Sequence, residues 1–339
     1  MDYLARLRAA VGGGDVEGAL AALKEASEAE ADLAEVVVPF RQDLLGTLFK
    51  GLGNEATHDR SVLFLSNICT GDNLALLEVC SLLKGNDRAL FAGAAAVLAR
   101  VCPRSPEARS ALPHWVVDSL VPVLGRKQEK EGFVDRRKWS RVMAVEALGA
   151  IGDARAVPAL VSALNDKEPM IVLRARYALS RMRDAKAVVD AVAGLLSSET
   201  RVVPSVGGLW VLERIVLGTP AKHTEKIFHL LPILAGVIAR SDDQEVQVRA
   251  SNAMVGIDEK RGVKEIAALM GKDFGKRSGH VKRAAAMALI RLADAGYPAA
   301  RAELERLVSA EEKLAEEKRP EYYEEAKATL DELRAEEKE

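Results

Sequence analysis

The chain has 339 residues and a formal net charge of −2, a balance that by itself favours neither nucleic acid nor an anionic membrane. Apolar residues make up 49% of it but aromatics only 4%, so a core must be built from Ala, Val and Leu, which suits close helix packing better than sheets. No apolar run approaches membrane-spanning length, and the opening MDYLARLRAAVGGGD lacks the long apolar region of a secretory leader.

In chain order, Asp2 to Val11 reads as a short helix stopped by Gly12, Gly13 and Gly14. Asp15 is placed to cap a second helix reaching about Ala29, with Val16, Leu20 and Leu23 on one side. A third spans Leu33 to Leu52, with Pro39 as a kink or as the true start, and Gly51, Gly53 and Asn54 end it. Residues 1–54 are thus expected to form an N-terminal helical cap. Cys69, Cys80 and Cys102 follow in no CxxC pair or regular spacing, which points to buried free thiols and a reducing, cytoplasmic setting.

From residue 55 a period can be counted. Leu65, Leu98, Leu148, Leu179, Leu212, Met254 and Leu289 each sit late in an Ala/Leu-rich run, at spacings of 33, 50, 31, 33, 42 and 35. Between them lie second apolar runs, such as WVVDSLVPVL from Trp115, AVPALVSAL from Ala156, AVVDAVAGLL from Ala187 and GVKEIAALM from Gly262. A near-constant period of this size filled by two helices is the signature of an α-solenoid. The predicted fold is all-α, an α-α superhelix of about seven to eight helix pairs, with the array over residues 55–308.

One unit shows the physics. In RVMAVEALGAIGDARAVPALVSAL, Arg141 to Leu164, the residues Ala144, Ala147, Leu148 and Ile151 share a helix face, and the alanines admit a close neighbour. Gly152 can take the left-handed conformation that stops a helix, and Asp153 can cap the next. Pro158 falls in that helix's first turn, where a missing N–H costs least.

Two intervals break the period: surplus residues near 102–139 and near 217–226. Insertions in solenoids map to loops, often at the binding face. Arg126 to Arg141 carries seven basic residues against three acidic ones, with Phe133 and Trp139 among them. Past Leu307 the composition becomes charged and helix-forming. From Glu303 to the end the net charge is −7, leaving +5 for the rest. Residues 309–339 read as a charged helical tail in which Tyr322, Tyr323, Ala326, Leu330 and Leu333 form a thin stripe able to cap the last repeat.

RVMAVEALGAIGDARAVPALVSALND and HVKRAAAMALIRLADAGYPAARAEL resemble HEAT repeats, in the short form seen in phycobilin-lyase-like proteins. The resemblance covers roughly residues 55–308 and implies architecture rather than activity. It also implies a polar ladder from a basic residue early in each inner helix. Arg141 and Lys282 fill that position, while Val172 and Gln247 interrupt it, with Arg174 and Arg249 two residues later as candidates to replace it.

Chemistry is harder to find. The five histidines are scattered, no HExxH or His-Glu pair exists, and the His-Glu iron site of HEAT-repeat deoxyhypusine hydroxylase is missing. GKDFGKRSG, from Gly271, resembles a phosphate-binding loop in composition only. Neither a GxSxG elbow nor a Cys/His arrangement appears. No catalytic, metal-binding or cofactor-binding residues are therefore assigned.

The expected function is a non-catalytic scaffold that binds a protein partner along the inner helices. The candidate residues are Lys130, Phe133, Arg136, Arg137 and Trp139 in the charged loop, with Arg174, Arg181, Arg214 and Arg249 on the inner helices. Two alternatives are a phycobilin-lyase-like enzyme or chaperone and a nucleic-acid-binding array. The last is disfavoured because basic residues outside the loop are interleaved with acids.

Overall fold

The computed structural model describes residues 2–29, 31, 36, 38–125, 136–198, 202–218 and 227–336. All regular structure among them is helical, and they divide into two compact units, Met1–Asp184 and Ala185–Glu339.

Unit 1 begins with α1 (Asp2–Gly13) and α2 (Val16–Glu28), packed on each other. The first helix runs two residues past the expected Val11 and stops at Gly14, whose φ of 67° is the left-handed conformation. Asp15 caps α2 by accepting the Gly18 N–H at 3.1 Å. A 3-10 turn over Val38–Phe40, which contains Pro39, leads into α3 (Arg41–Leu52), and most of the expected stretch before it lies outside the described residues.

Next come α4 (His58–Gly71), α5 (Asn73–Ser81), α6 (Arg88–Val101), the short α7 (Pro106–Ser110), α8 (Trp115–Leu124), α9 (Arg136–Ile151), α10 (Val157–Ala163) and α11 (Pro169–Ser180). Helices α4, α6, α9 and α11 pack side by side as an inner row, while α5, α8 and α10 alternate with them. The 50-residue step between Leu98 and Leu148 therefore leaves the row intact. Helix α6 packs directly on α9, with the short α7 and α8 between them in the chain.

Unit 2 repeats the scheme with α12 (Ala185–Ser198), α13 (Val202–Gly218), α14 (Leu231–Arg240), α15 (Gln244–Ile257), α16 (Glu259–Gly271), α17 (Ser278–Asp294), α18 (Pro298–Glu311) and α19 (Tyr323–Glu336). Its inner row is α13, α15, α17 and α19. The tail thus docks as the last member of the row, with Tyr322, Tyr323, Ala326 and Leu330 buried, while Leu333 is only half-buried. Arg283 on α17 pairs with Glu321 at 2.8 Å beside it.

The seven anchors counted in the sequence are all fully buried. The turn after α9 behaves as its residues dictate. Gly152 has a φ of 70°, Asp153 accepts the Arg155 N–H at 2.9 Å, and Pro158 lies in the first turn of α10. Asp72, Asp87, Asp243 and Asp258 cap α5, α6, α15 and α16 in the same way, each worth about 1 kcal/mol.

Cys69, Cys80 and Cys102 are buried free thiols, as expected. Burial pushes Cys80 and Cys102 up to about 12 and Cys69 further still. No described helix is long and apolar enough to cross a membrane.

Candidate functional site

The inner row of unit 1 carries a groove of about 630 Å³ between α6, α9 and α11. Its floor is made of small residues: Ala99 of α6, Gly149 and Ala150 of α9, and Ala178 of α11. Helices α9 and α11 meet almost backbone to backbone there. A Cβ added to Gly149 would fall 2.5 Å from the Ala178 Cβ and 2.7 Å from its Cα. Close packing of this kind sets the floor without flexible side chains, so the floor is formed in advance of any occupant.

The walls are polar and mostly cationic. Helix α11 supplies Arg174, Tyr177 and Arg181, α9 supplies Glu146, and the surplus chain after α6 supplies Pro103 and Arg109. Arg174 Nη1 donates to Glu146 Oε1 at 2.9 Å, tying α11 to α9 and neutralising that pair. The Arg181 guanidinium carbon lies 5.8 Å from the centroid of the Tyr177 ring, one helical turn back. Arg109 is half-buried, and its Nε–H is shielded from solvent with no hydrogen-bond acceptor among the described residues. Three arginines thus face one glutamate.

The solvent side of α11 extends this surface. Met170, Leu173 and Tyr177 recur at helical spacing and are 42%, 41% and 41% exposed, opposite the buried stripe Ile171, Ala175, Leu179. Arg174 and Arg181, both exposed, flank this apolar face.

Unit 2 has its own counterparts. Arg249 on α15 donates to Glu213 on α13 at 2.9 Å and to Glu245 at 2.9 Å. Burial pushes the Glu213 carboxyl up from its ordinary value, with Arg249 pulling the other way. The Arg214 guanidinium carbon lies 5.8 Å from the Trp210 ring centroid, the same aromatic-to-arginine step as Tyr177 and Arg181.

The candidate arginines therefore separate into two kinds. Arg174 and Arg249 each bridge back to a glutamate of the preceding inner helix. Arg181 and Arg214 are exposed, lean on an aromatic ring, and make no ion pair among the described residues. Lys130 and Phe133 lie outside the described residues. The backbone of Arg136, Arg137 and Trp139 forms the first turn of α9.

Arg141 is of the structural kind. It is 8% exposed, pairs with Asp166, and donates to the Leu124 carbonyl at 3.1 Å. Gln247 does comparable work in unit 2, donating from Nε2 to the Ser241 carbonyl at 2.8 Å. The polar position is thus kept where the basic residue is lost, because both side chains satisfy a carbonyl at the end of the preceding outer helix. Val172 is the real interruption, buried at 5% exposure.

Two residues of the groove escaped the sequence reading. Arg109 sits in the irregular stretch CPRSPEARSALP, recognised as surplus but not as a contributor. The rule that solenoid insertions gather at a binding face was the available signal. Tyr177 is not among the residues singled out from the sequence, although it stands four residues before Arg181 as Trp210 stands before Arg214, 33 residues further on.

Residues 131–206 match the family model for HEAT repeats, so this stretch carries HEAT repeats. No curated protein matches the chain. Among solved structures, the HEAT-like repeats protein of Thermococcus onnurineus is 15% identical over 72% of this chain and 97% of its own, with a TM-score of 0.47. An engineered protein is 21% identical over 97% of this chain and 93% of its own, with a TM-score of 0.42. The complex of CpcE and CpcF of phycocyanin lyase from Nostoc is 18% identical over 76% of this chain and 94% of its own, with a TM-score of 0.35.

Proposed function

We propose that the chain is a non-catalytic interaction scaffold that holds a protein partner on the inner row of unit 1, at the groove between α6, α9 and α11. The observation that carries this reading is the solvent face of α11. There Met170, Leu173 and Tyr177 stand exposed beside Arg174 and Arg181, over a groove whose floor is fixed by backbone-close packing. Aromatic and arginine side chains dominate the energetics of protein interfaces, and a preformed surface loses little conformational freedom on binding. Arg214 beside Trp210 is a second contact of the same chemistry in unit 2. Lys130 and Phe133, which precede α9 in the sequence, and Arg136, Arg137 and Trp139 at its start belong to the same proposal as flanking contacts in a cytoplasmic protein.

The test is affinity capture with wild type and a Tyr177→Ala/Arg181→Glu variant, followed by reconstitution with the purified partner. Both substitutions lie on the exposed side of α11, so the melting temperature should be unchanged. A partner retained by wild type and lost by the variant is the expected result. If every retained protein binds the variant equally well, the groove is not the docking surface.

A further inference from the structure

We infer that the groove in unit 1 receives an extended acidic segment of its protein partner, with Arg109 and Arg181 as the carboxylate-binding pair. This rests on the scaffold reading above and assigns the chemistry of the occupant.

Charge comes first. Of the three arginines in the groove, Arg174 alone pairs with a carboxylate among the described residues, that of Glu146. Arg109 and Arg181 make no ion pair among the described residues, so two guanidinium groups of the site have no described carboxylate beside them. A guanidinium presents its donors as a planar fork matched to a carboxylate, and such charge-assisted pairs are stronger than neutral hydrogen bonds.

The two arginines are also prepared for that role. The Arg109 Nε–H is shielded from water and has no acceptor among the described residues, so its guanidinium retains donor capacity. The Tyr177 ring supports the Arg181 guanidinium from one turn back, limiting the freedom that a long side chain would otherwise lose on binding.

Shape selects the conformation of the occupant. Ala99, Gly149 and Ala178 give a floor without projecting side chains, so another backbone can approach closely. At about 630 Å³ the groove suits a few residues of extended chain, whereas a helix with its side chains is about 10–12 Å across. The exposed apolar stripe of Met170 and Leu173 continues beside it, which fits a polypeptide rather than a nucleic acid backbone. The latter would require several cations in register, which the groove does not supply among the described residues.

The test uses the full chain and a fluorescein-labelled twelve-residue peptide of alternating glutamate and serine, followed by anisotropy. Controls are the matching glutamine and lysine peptides and a single-stranded oligonucleotide of equal charge. The acidic peptide should bind, the glutamine and lysine peptides should not, and added salt should weaken the complex. Arg181→Gln and Arg109→Gln should each weaken it roughly ten- to a hundredfold, as expected for losing a charge-assisted hydrogen bond. Arg181→Lys should restore only part of the loss, since it keeps the charge and not the fork.

Arg181 is exposed, so its variants keep the test valid even where Arg109→Gln disturbs the fold. Equal binding of the acidic and glutamine peptides, undiminished binding by Arg181→Gln, or tighter binding of the oligonucleotide would each overturn the inference. A partner that depends on Tyr177 but is not displaced by the acidic peptide would sink the acidic occupant and leave the scaffold standing. Loss of both results would remove both readings.

Discussion

Arg141→Met removes a guanidinium that holds α9 to two neighbours at once. Its side chain is 9% exposed and that of its partner Asp166 15%, so the pair is largely out of water. The same group satisfies the Leu124 carbonyl through Nε and Nη2, at 3.3 and 3.1 Å. Methionine fills much of the same volume and leaves both acceptors unsatisfied. Breaking a buried pair from one side costs about 3–5 kcal/mol. Asp166 keeps the Glu168 N–H at 2.9 Å, which softens its loss and favours the lower end.

For a unit of this size 1 kcal/mol corresponds to about 2–4 °C, so the transition of unit 1 should fall by roughly 6–12 °C. Differential scanning calorimetry of the full chain, with urea titration as a second measure, reads this directly. Asp166→Asn should cost less, and a double-mutant cycle should return a coupling energy of about 1 kcal/mol or more. If Arg141→Met stays within about 0.5 kcal/mol of wild type, the pair does not stabilise the array. The division of the arginines into structural and exposed kinds would then fail.

Other outcomes follow from the same packing. Gly149→Ala should force α9 away from Ala178 and destabilise unit 1 by about 1–3 kcal/mol, despite the better helix propensity of alanine, as read from the urea midpoint. Tyr323→Ala, at a side chain 2% exposed where the tail docks, should cost unit 2 about 3–5 kcal/mol, and an unchanged melting curve would mean that the tail is not a cap.

Arg249→Met leaves Glu213 half-buried beside Glu245 with no cation. The folded carboxyl is already raised, so its contribution is complete at low pH and is lost as pH rises through the folded value. The variant should therefore be closer to wild type in urea midpoint at about pH 4 than at about pH 7. The thiols of Cys69, Cys80 and Cys102 should resist a thiol reagent in the native chain and react on unfolding. Because Cys80 and Cys102 are raised to about 12 from 9.0, the unfolded chain ionises first. Stability of unit 1 should hold below about pH 9 and fall between there and about 12.

Helix pairs, their caps and their buried anchors were legible from residue spacing because each depends on neighbours within a turn or two. Gly152 followed by Asp153 stops one helix and starts another wherever it stands. Leu148 is buried because its run has one apolar face, and the 3.6-residue period of a helix is written directly into the sequence. The departures were local too: a 3-10 turn over Ala154–Ala156 before α10 and a first helix that reaches Gly13.

The function of the arginines was not legible in this way. Arg141, Arg174 and Arg181 occupy the same sort of position on paper. Only packing decides that the first is buried against Asp166, the second is spent on Glu146, and the third is left facing solvent over Tyr177. The same holds for Arg109, carried to the groove by surplus chain whose irregular sequence has no period to read. The sequence alone therefore determined an all-helical repeat array and where its core residues lie. Which charges remain available for a partner was decided by tertiary contacts between residues far apart in the chain, because a charge is compensated by whatever lies within a few ångströms in space, and one-dimensional spacing does not encode that distance.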